Sequence, residues 1–440
     1  MFRVLKFGGT SVGSAQRMKD LVRLTAHSEP KIVVLSAMSG TTNTLVEICE
    51  SLYAKDAEKT KKLTETLRQK YQKEVAELFS KETSLTKANH LILHHFNFIE
   101  AFTMDMFTPN EEKAILAQGE LLSTAMYHYY LEEIGTDSVL LPALNFMRLD
   151  ANDEPDMDYI EKYLMMELNK YPNKGIFITQ GYICRNSFGE IDNLKRGGSD
   201  YSASIIGAAI RSSEIQIWTD IDGMHNNDPR IVNKTHPINE LSFDEAAELA
   251  YFGAKILHPT CILPAKKRNI PVRLKNTMLP EAQGTLIANI NTNEGVKAVA
   301  AKDGITAINI KSDRMLLAHG FLRAVFEIFE RYKTPIDMIT TSEVAVSLTI
   351  DQNKNLAKII EELKEISLVE IDIDQTIICI VGQLPKDKSG YAYKVLEALK
   401  DIPLRMVSYG GSANNISVLV NSNLKNAALM ALNKGLFNYN

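Results

Sequence analysis

The sequence predicts an α/β protein in two parts. A mostly parallel sheet lies between two layers of helices, and two ferredoxin-like modules of βαββαβ order follow it. Three observations predict this. Short apolar runs alternate with helical stretches over the first two-thirds of the chain. Each run ends in small or polar residues. From about residue 297 a strand–helix–strand–strand–helix–strand pattern occurs twice, offset by 70 residues.

Strands are expected at Met1 to Phe7 and Lys31 to Met38, both rich in Val, Ile and Leu, as buried parallel strands are. Residues 53 to 134 are rich in Lys, Glu and Leu and contain one proline, Pro109, which reads as several helices. Further strands are expected at 138–141, 175–179 and 215–219, helices at 200–211 and 243–252, and a last strand at 272–274. In such sheets the ligand crevice lies beyond the C-terminal strand ends. Lys6 to Ser11, Ser36 to Asn43, Gln180-Gly181 and Thr219-Asp220 all fall there. In the repeat, Ile305 to Ile310 matches Gln375 to Ile380, Gly320 to Phe326 matches Gly390 to Leu396, and Val346 to Ile350 matches Ile416 to Val420. These modules show few clustered titratable side chains, which favours binding or assembly over catalysis.

The 440 residues suit two or three domains, and a hydrophobic share of 45% is that of a globular chain. A net charge of -5 gives no sign of nucleic-acid binding. No apolar run is long enough for a membrane span, and no signal peptide is apparent, so the cytoplasm is expected. Cys49, Cys184, Cys261 and Cys379 are scattered without metal-ligand spacing and are expected as buried free thiols in a reducing compartment.

Five segments can carry chemistry. Lys6 precedes Gly8 and Gly9, whose bare amides suit a phosphate, although a P-loop would place its lysine after the glycines. Arg196-Gly-Gly-Ser-Asp200 opens a helix that Ser199 or Asp200 is placed to cap. Trp218-Thr-Asp220 ends a strand and leads to Asp228-Pro-Arg230, a sequence that turn chemistry alone explains. Phe252 to Pro259 contains Lys255 and His258, the latter expected to be structural. Glu120 lies in a predicted helix, where a solvated face is the ordinary outcome.

Taken in order, these segments resemble the aspartokinases of the amino-acid kinase superfamily. Lys6-Phe-Gly-Gly-Thr-Ser11 is similar to that family's N-terminal signature. Ser36-Ala-Met-Ser-Gly-Thr-Thr-Asn43, Gln118-Gly-Glu120, Thr179-Gln-Gly181, Arg196 to Asp200, Trp218 to Asp220, Asp228 to Arg230 and Phe252 to Pro259 follow in the family's order. The duplication resembles its paired ACT domains. The resemblance implies an amino-acid kinase domain over 1–290 with a helical insert at about 53–115. One ACT domain would follow over 297–372 and a second over 373–440; whether the two intertwine stays open.

The implied activity is transfer of the γ-phosphoryl of ATP, with Mg²⁺, to the β-carboxylate of L-aspartate. That carboxylate is ionised at neutral pH and needs no general base, so the task is to bring two anions together. The resemblance assigns Lys6 to the transferring phosphoryl group and Asp200 to orienting the lysine. Gly8, Gly9, Ser11, Thr219, Asp220, His225, Arg230 and Lys255 fall to ATP, with His225 standing where many relatives have tyrosine. Arg196 falls to the substrate α-carboxylate and Glu120 to its α-ammonium, with Ser36, Thr42, Gly197, Gly198 and Ser199 beside them. No resident metal site is implied. Met315, Ala318, Phe321, Leu322, Pro335, Ile336, Asp337, Ser342 and Glu343 match an amino-acid effector site, lysine favoured and threonine the alternative. Ala318 and Pro335 stand where relatives carry serine. A homodimer or dimer of dimers is implied. A glutamate 5-kinase or acetylglutamate kinase lacks the tandem ACT tail, and a fused homoserine dehydrogenase would need a G-x-G-x-x-G segment, which is absent. A catalytically silent amino-acid sensor is disfavoured by retention of Lys6, Arg196 and Asp200.

Overall fold

The computed structural model describes residues 1–440 except Ser28, 103–106, 195–196, 254–256, Thr292, 313–318, Lys386 and 438–440. The chain forms two compact units, residues 1–224 with 256–289, and residues 225–255 with 290–440.

The first unit begins β1 (Arg3–Phe7), α1 (Ala15–Thr25), β2 (Lys31–Leu35) and α2 (Thr41–Tyr53). The helical stretch follows as α3 (Ala57–Leu78), α4 (Glu82–Ala101), α5 (Pro109–Leu116) and α6 (Gln118–Glu133). Next come β3 (Val139–Leu141), α7 (Met157–Asn169), β4 (Ile176–Gln180), the hairpin β5 (Ile183–Arg185) and β6 (Ile191–Asn193), α8 (Gly198–Ala209) and β7 (Ile215–Thr219). The chain then gives β8 (Glu240–Ser242) and α9 (Phe243–Tyr251) to the second unit and returns with α10 (Pro259–Arg268), β9 (Val272–Asn276) and β10 (Thr285–Ala288).

The sheet of this unit runs β3-β4-β2-β1-β7-β9-β10, parallel up to β9, with β10 antiparallel to it. Phe7 is in register with Leu35 and Trp218, and Leu35 with Gln180, so the four loops after β1, β2, β4 and β7 leave the sheet in one row. β2 stops at Leu35, three residues before the expected end, because Ser36 to Gly40 turns over this rim. β1, β2 and β4 are buried on both faces, as their unbroken apolar runs require. α3 and α4 add Tyr71, Val75, Ile92 and Phe96 to the core beside α2. All four cysteines are buried free thiols.

The second unit contains β11 (Gly295–Lys311), α11 (Phe321–Arg331), β12 (Ile339–Thr341), β13 (Ala345–Ile350), α12 (Leu356–Ile366), β14 (Leu368–Gln383), α13 (Tyr391–Ala398), β15 (Met406–Tyr409), β16 (Asn415–Asn421) and α14 (Lys425–Phe437). The repeat is visible in detail. Gly320 and Gly390 both start a helix at φ 96°, where a side chain would be strained. The six strands form one antiparallel sheet, β12-β13-β11-β14-β16-β15. β11 and β14 each serve both modules. Residues 306–311 of β11 pair with β13 and 307–311 with 368–372 of β14, whereas 295–302 pair with 377–383. Val296, Val299 and Ala301 accordingly pack in the core of the second module, with Ile378, Val395 and Leu432. The modules are intertwined.

Segment 225–255, read from sequence as part of the first 290 residues, packs in this second unit. Its polar anchors explain why. Asn227 donates to the Leu429 carbonyl, Glu245 accepts Lys297 at 3.1 Å, and Glu248 accepts the Asn415 amide at 2.6 Å.

Candidate active site

β1 ends by delivering Lys6 to the rim, where its ammonium lies 2.6 Å from Asp200 Oδ1. Both side chains are mostly buried, at 11% and 17% exposure, so the pair is little screened. The expectation that Ser199 or Asp200 caps α8 is corrected. The N-cap is Gly197 at φ 71°, without a side-chain cap, which puts Ser199 and Asp200 inside the first turn. Asp200 is thereby free to face Lys6, and Ser199 Oγ accepts from Ser36 Oγ at 2.9 Å. Gly197 is demanded twice, since beyond its positive φ an added Cβ would stand 2.0 Å from Cys261 Sγ.

Beside the pair opens a basin of about 430 Å³. Gly9, Ser36, Thr42, Gly198 and Ser199 line it, joined by Glu120 and Tyr182. Glu120 is not on a solvated face: it is 3% exposed, and burial raises its pKa to about 8. The Ala37 amide and, more weakly, the Lys6 charge oppose that rise. One carboxylate oxygen, Oε2, is buried without a hydrogen-bond partner among the described residues. An acid so placed waits for a cation. Gly119 allows the approach, since a Cβ there would stand 2.7 Å from the Ala37 Cβ.

Several expected phosphate ligands are already engaged. The Gly8 amide donates to the Trp218 carbonyl at 3.3 Å, so of the two glycines only Gly9 lines the basin. Ser11 is fully buried and shares a hydrogen bond of 2.7 Å with Thr277. The Thr219 hydroxyl donates to Asp220 at 3.0 Å at the end of β7. His225 and Arg230 belong to the second unit, where Arg230 is held by Asp228 through Nε and Nη2 and His225 Nδ1 meets Thr235 Oγ1. Arg196, Lys255, Met315 and Ala318 lie outside the described residues. His258 N-caps α10, a structural role.

Sequence reading missed the residues of α3 that brace the rim. Lys70 donates to the Ser39 carbonyl at 2.5 Å, the buried Tyr71 hydroxyl meets Thr41 Oγ1 at 3.1 Å, and Glu74 accepts the Ala15 amide at 2.6 Å. The stripe Thr60, Thr64, Leu67, Tyr71, Val75 and Leu78 at helical spacing marks the buried face of α3. Nothing local marks Lys70 and Glu74 as its edge.

In the second unit the described members of the expected effector set fall on α11 and in the stretch after it. Phe321 and Leu322 form its first turn, Pro335 and Ile336 precede Asp337, and Ser342 and Glu343 make the exposed turn between β12 and β13. The modules do contain a titratable cluster, against the sequence expectation. The Asp337 carboxylate has no exposed surface; it accepts Lys302 at 2.8 Å and the Tyr251 hydroxyl at 2.7 Å, while Lys302 also meets Asp351 at 2.9 Å. Burial works to lower the Lys302 pKa, but the two carboxylates outweigh it and the net shift is upward. Among the described residues no group of three or more His, Cys, Asp or Glu is arranged to hold a metal ion, and no helix is long and apolar enough to cross a membrane.

Comparison with known proteins identifies the family. The amino acid kinase family model matches residues 1–276, and an ACT domain model matches 378–436. The lysine-sensitive aspartokinase 3 of Escherichia coli is 32% identical over 99% of each chain. Chloroplastic aspartokinase 1 of Arabidopsis thaliana is 34% identical over 99% of this chain and 80% of its own. The crystal structure of E. coli aspartokinase III with aspartate and ADP superposes with a TM-score of 0.85 at 31% identity, covering 99% of this chain and 100% of that one. The same enzyme with lysine and aspartate gives 0.81, covering 99% of each. The chain belongs to the amino acid kinase family and, within it, to the aspartokinases.

Proposed function

We propose that L-aspartate and the γ-phosphate of ATP meet in the basin between Glu120 and the Lys6–Asp200 pair. As an aspartokinase the chain moves that phosphoryl group to the β-carboxylate, giving 4-phospho-L-aspartate. The observation that carries the assignment of residues is a buried carboxylate lining the cavity, unsatisfied among the described residues and near enough to feel the charge of the nearly buried Lys6. Glu120 takes the substrate α-ammonium, Arg196 its α-carboxylate, and Ser36, Thr42 and Ser199 add hydrogen bonds. The β-carboxylate then faces Lys6, whose charge offsets the anion developing as the phosphoryl group moves. Asp200 fixes the lysine in direction. ATP enters as its Mg²⁺ complex, the ion arriving with the substrate. Thr219, Asp220, His225, Arg230 and Lys255 are assigned to the nucleotide.

We assign the intertwined ACT pair to feedback by lysine at Asp337, in the cytoplasm and in a homodimer. The E. coli enzyme's complex with lysine and aspartate supports the effector. The test measures ADP release with aspartate, glutamate and acetylglutamate in parallel. Turnover should occur with aspartate and fall roughly 10²-fold or more in Lys6→Met, at an unchanged melting temperature. Near-normal turnover in that variant would remove Lys6 from the chemistry.

A further inference from the structure

A second cavity, of about 440 Å³, lies in the first unit between α1, the start of β2 and the strands β1, β7 and β9. Its floor is apolar: Leu5, Leu24 and Trp218, a residue 5% exposed. Its walls are cationic. Arg23, Lys31 and Lys275 face it, with His27 at the edge. Two acids reach it, Glu29 and Glu281, and Glu29 is spent on Arg3 at 2.8 Å. None of these residues belongs to the basin beside Lys6.

The cations are poorly compensated. Lys31 is 3% exposed, yet among the described residues its ammonium has one hydrogen-bond partner, the His27 carbonyl at 2.8 Å. Arg23 reaches the Thr277 carbonyl at 3.4 Å. Lys275, in register with Trp218, has no oxygen partner among the described residues; its ammonium stands 5.1 Å from the centre of the Trp218 ring. Burial depresses the pKa of both lysines. Buried ammonium groups without a counter-anion are costly, and a bound anion relieves the cost. The apolar floor would bury a ring of matching size.

We propose that this cavity binds a small aromatic anion, its carboxylate on Lys275 and Arg23 and its ring against Trp218. Trp218 is the one tryptophan of the chain, so its fluorescence reports on this floor. Benzoate is the probe, with benzyl alcohol as its uncharged counterpart and sulfate as an anion without a ring, all titrated by fluorescence and calorimetry with aspartate and ADP in excess. The expected result is saturable benzoate binding that persists under these conditions. Benzyl alcohol and sulfate should each bind at least tenfold more weakly. Lys275→Met keeps the stem over Trp218 but removes the charge, and should weaken benzoate at least tenfold at unchanged turnover. Arg23→Gln, on a different element, should act in the same direction. No saturable benzoate signal, equal binding of benzyl alcohol or sulfate, displacement by aspartate, or full affinity in both variants would each overturn the proposal.

Discussion

The pKa of Glu120, raised to about 8, makes aspartate binding depend on pH in a direction that can be worked out. The displacement from the ordinary glutamate range is more than three pH units, or roughly 5 kcal/mol against the ionised form. Between pH 5 and 8 the folded protein therefore holds a proton that the unfolded chain has lost. The stability contribution is full at low pH and is lost as pH rises toward 8. An incoming α-ammonium needs the ionised form. At pH 7 only about one-tenth of the empty sites offer it, so the KM for aspartate should stand about tenfold above its limiting value and fall toward pH 9. The assay is ADP release against aspartate concentration from pH 6 to 9, paired with melting curves. Glu120→Gln, neutral and nearly isosteric, should raise KM, abolish its pH dependence, and melt no lower than the parent at pH 9. A flat KM in the parent, or the same slope in the variant, would refute the assignment.

Three further outcomes are expected. Lys70→Met should raise the KM for aspartate several-fold with little change in kcat, because the lost bond to the Ser39 carbonyl loosens the basin's wall and not the reacting groups; a pure loss of kcat would contradict this. Lysine titrated into the activity assay should inhibit, and Asp337→Asn should weaken that inhibition at least tenfold while sparing turnover without lysine; equal sensitivity in parent and variant would remove Asp337 from the effector site. Gly119→Ala must displace the Ala37 loop, since its Cβ would stand 2.7 Å from the Ala37 side chain, and should lower the melting temperature by several degrees together with aspartate affinity.

The parts of this protein that were legible in the sequence are those written in local pattern. Unbroken apolar runs such as Lys31 to Leu35 gave the parallel strands, and the repeated Gly320 and Gly390 gave the two modules. Strand ends pointed to one rim, and Lys6 and Asp200 do meet there although they are far apart in the chain. What stayed hidden depends on partners distant in sequence. Glu120 looks like a solvated helical acid until Ala37 is packed over Gly119. Lys70 looks like any surface lysine until α3 lies against the Ser39 turn. The amide of Gly8 is spoken for by a carbonyl on β7, which no spacing rule announces. Lys302 lies on β11 and Asp337 in the loop before β12, so their cluster became visible only with the sheet assembled.

The sharing of β11 and β14 makes one module an insertion within the other. Residues 295–302 supply an edge to a body completed only by Lys425–Phe437, so nascent chain must wait through well over a hundred residues of translation before that sheet can close. A stop codon near residue 372 would therefore not yield a clean single-module enzyme. It would leave 295–302 without its partner strand, an open, sticky ribbon for chaperones and proteases to find.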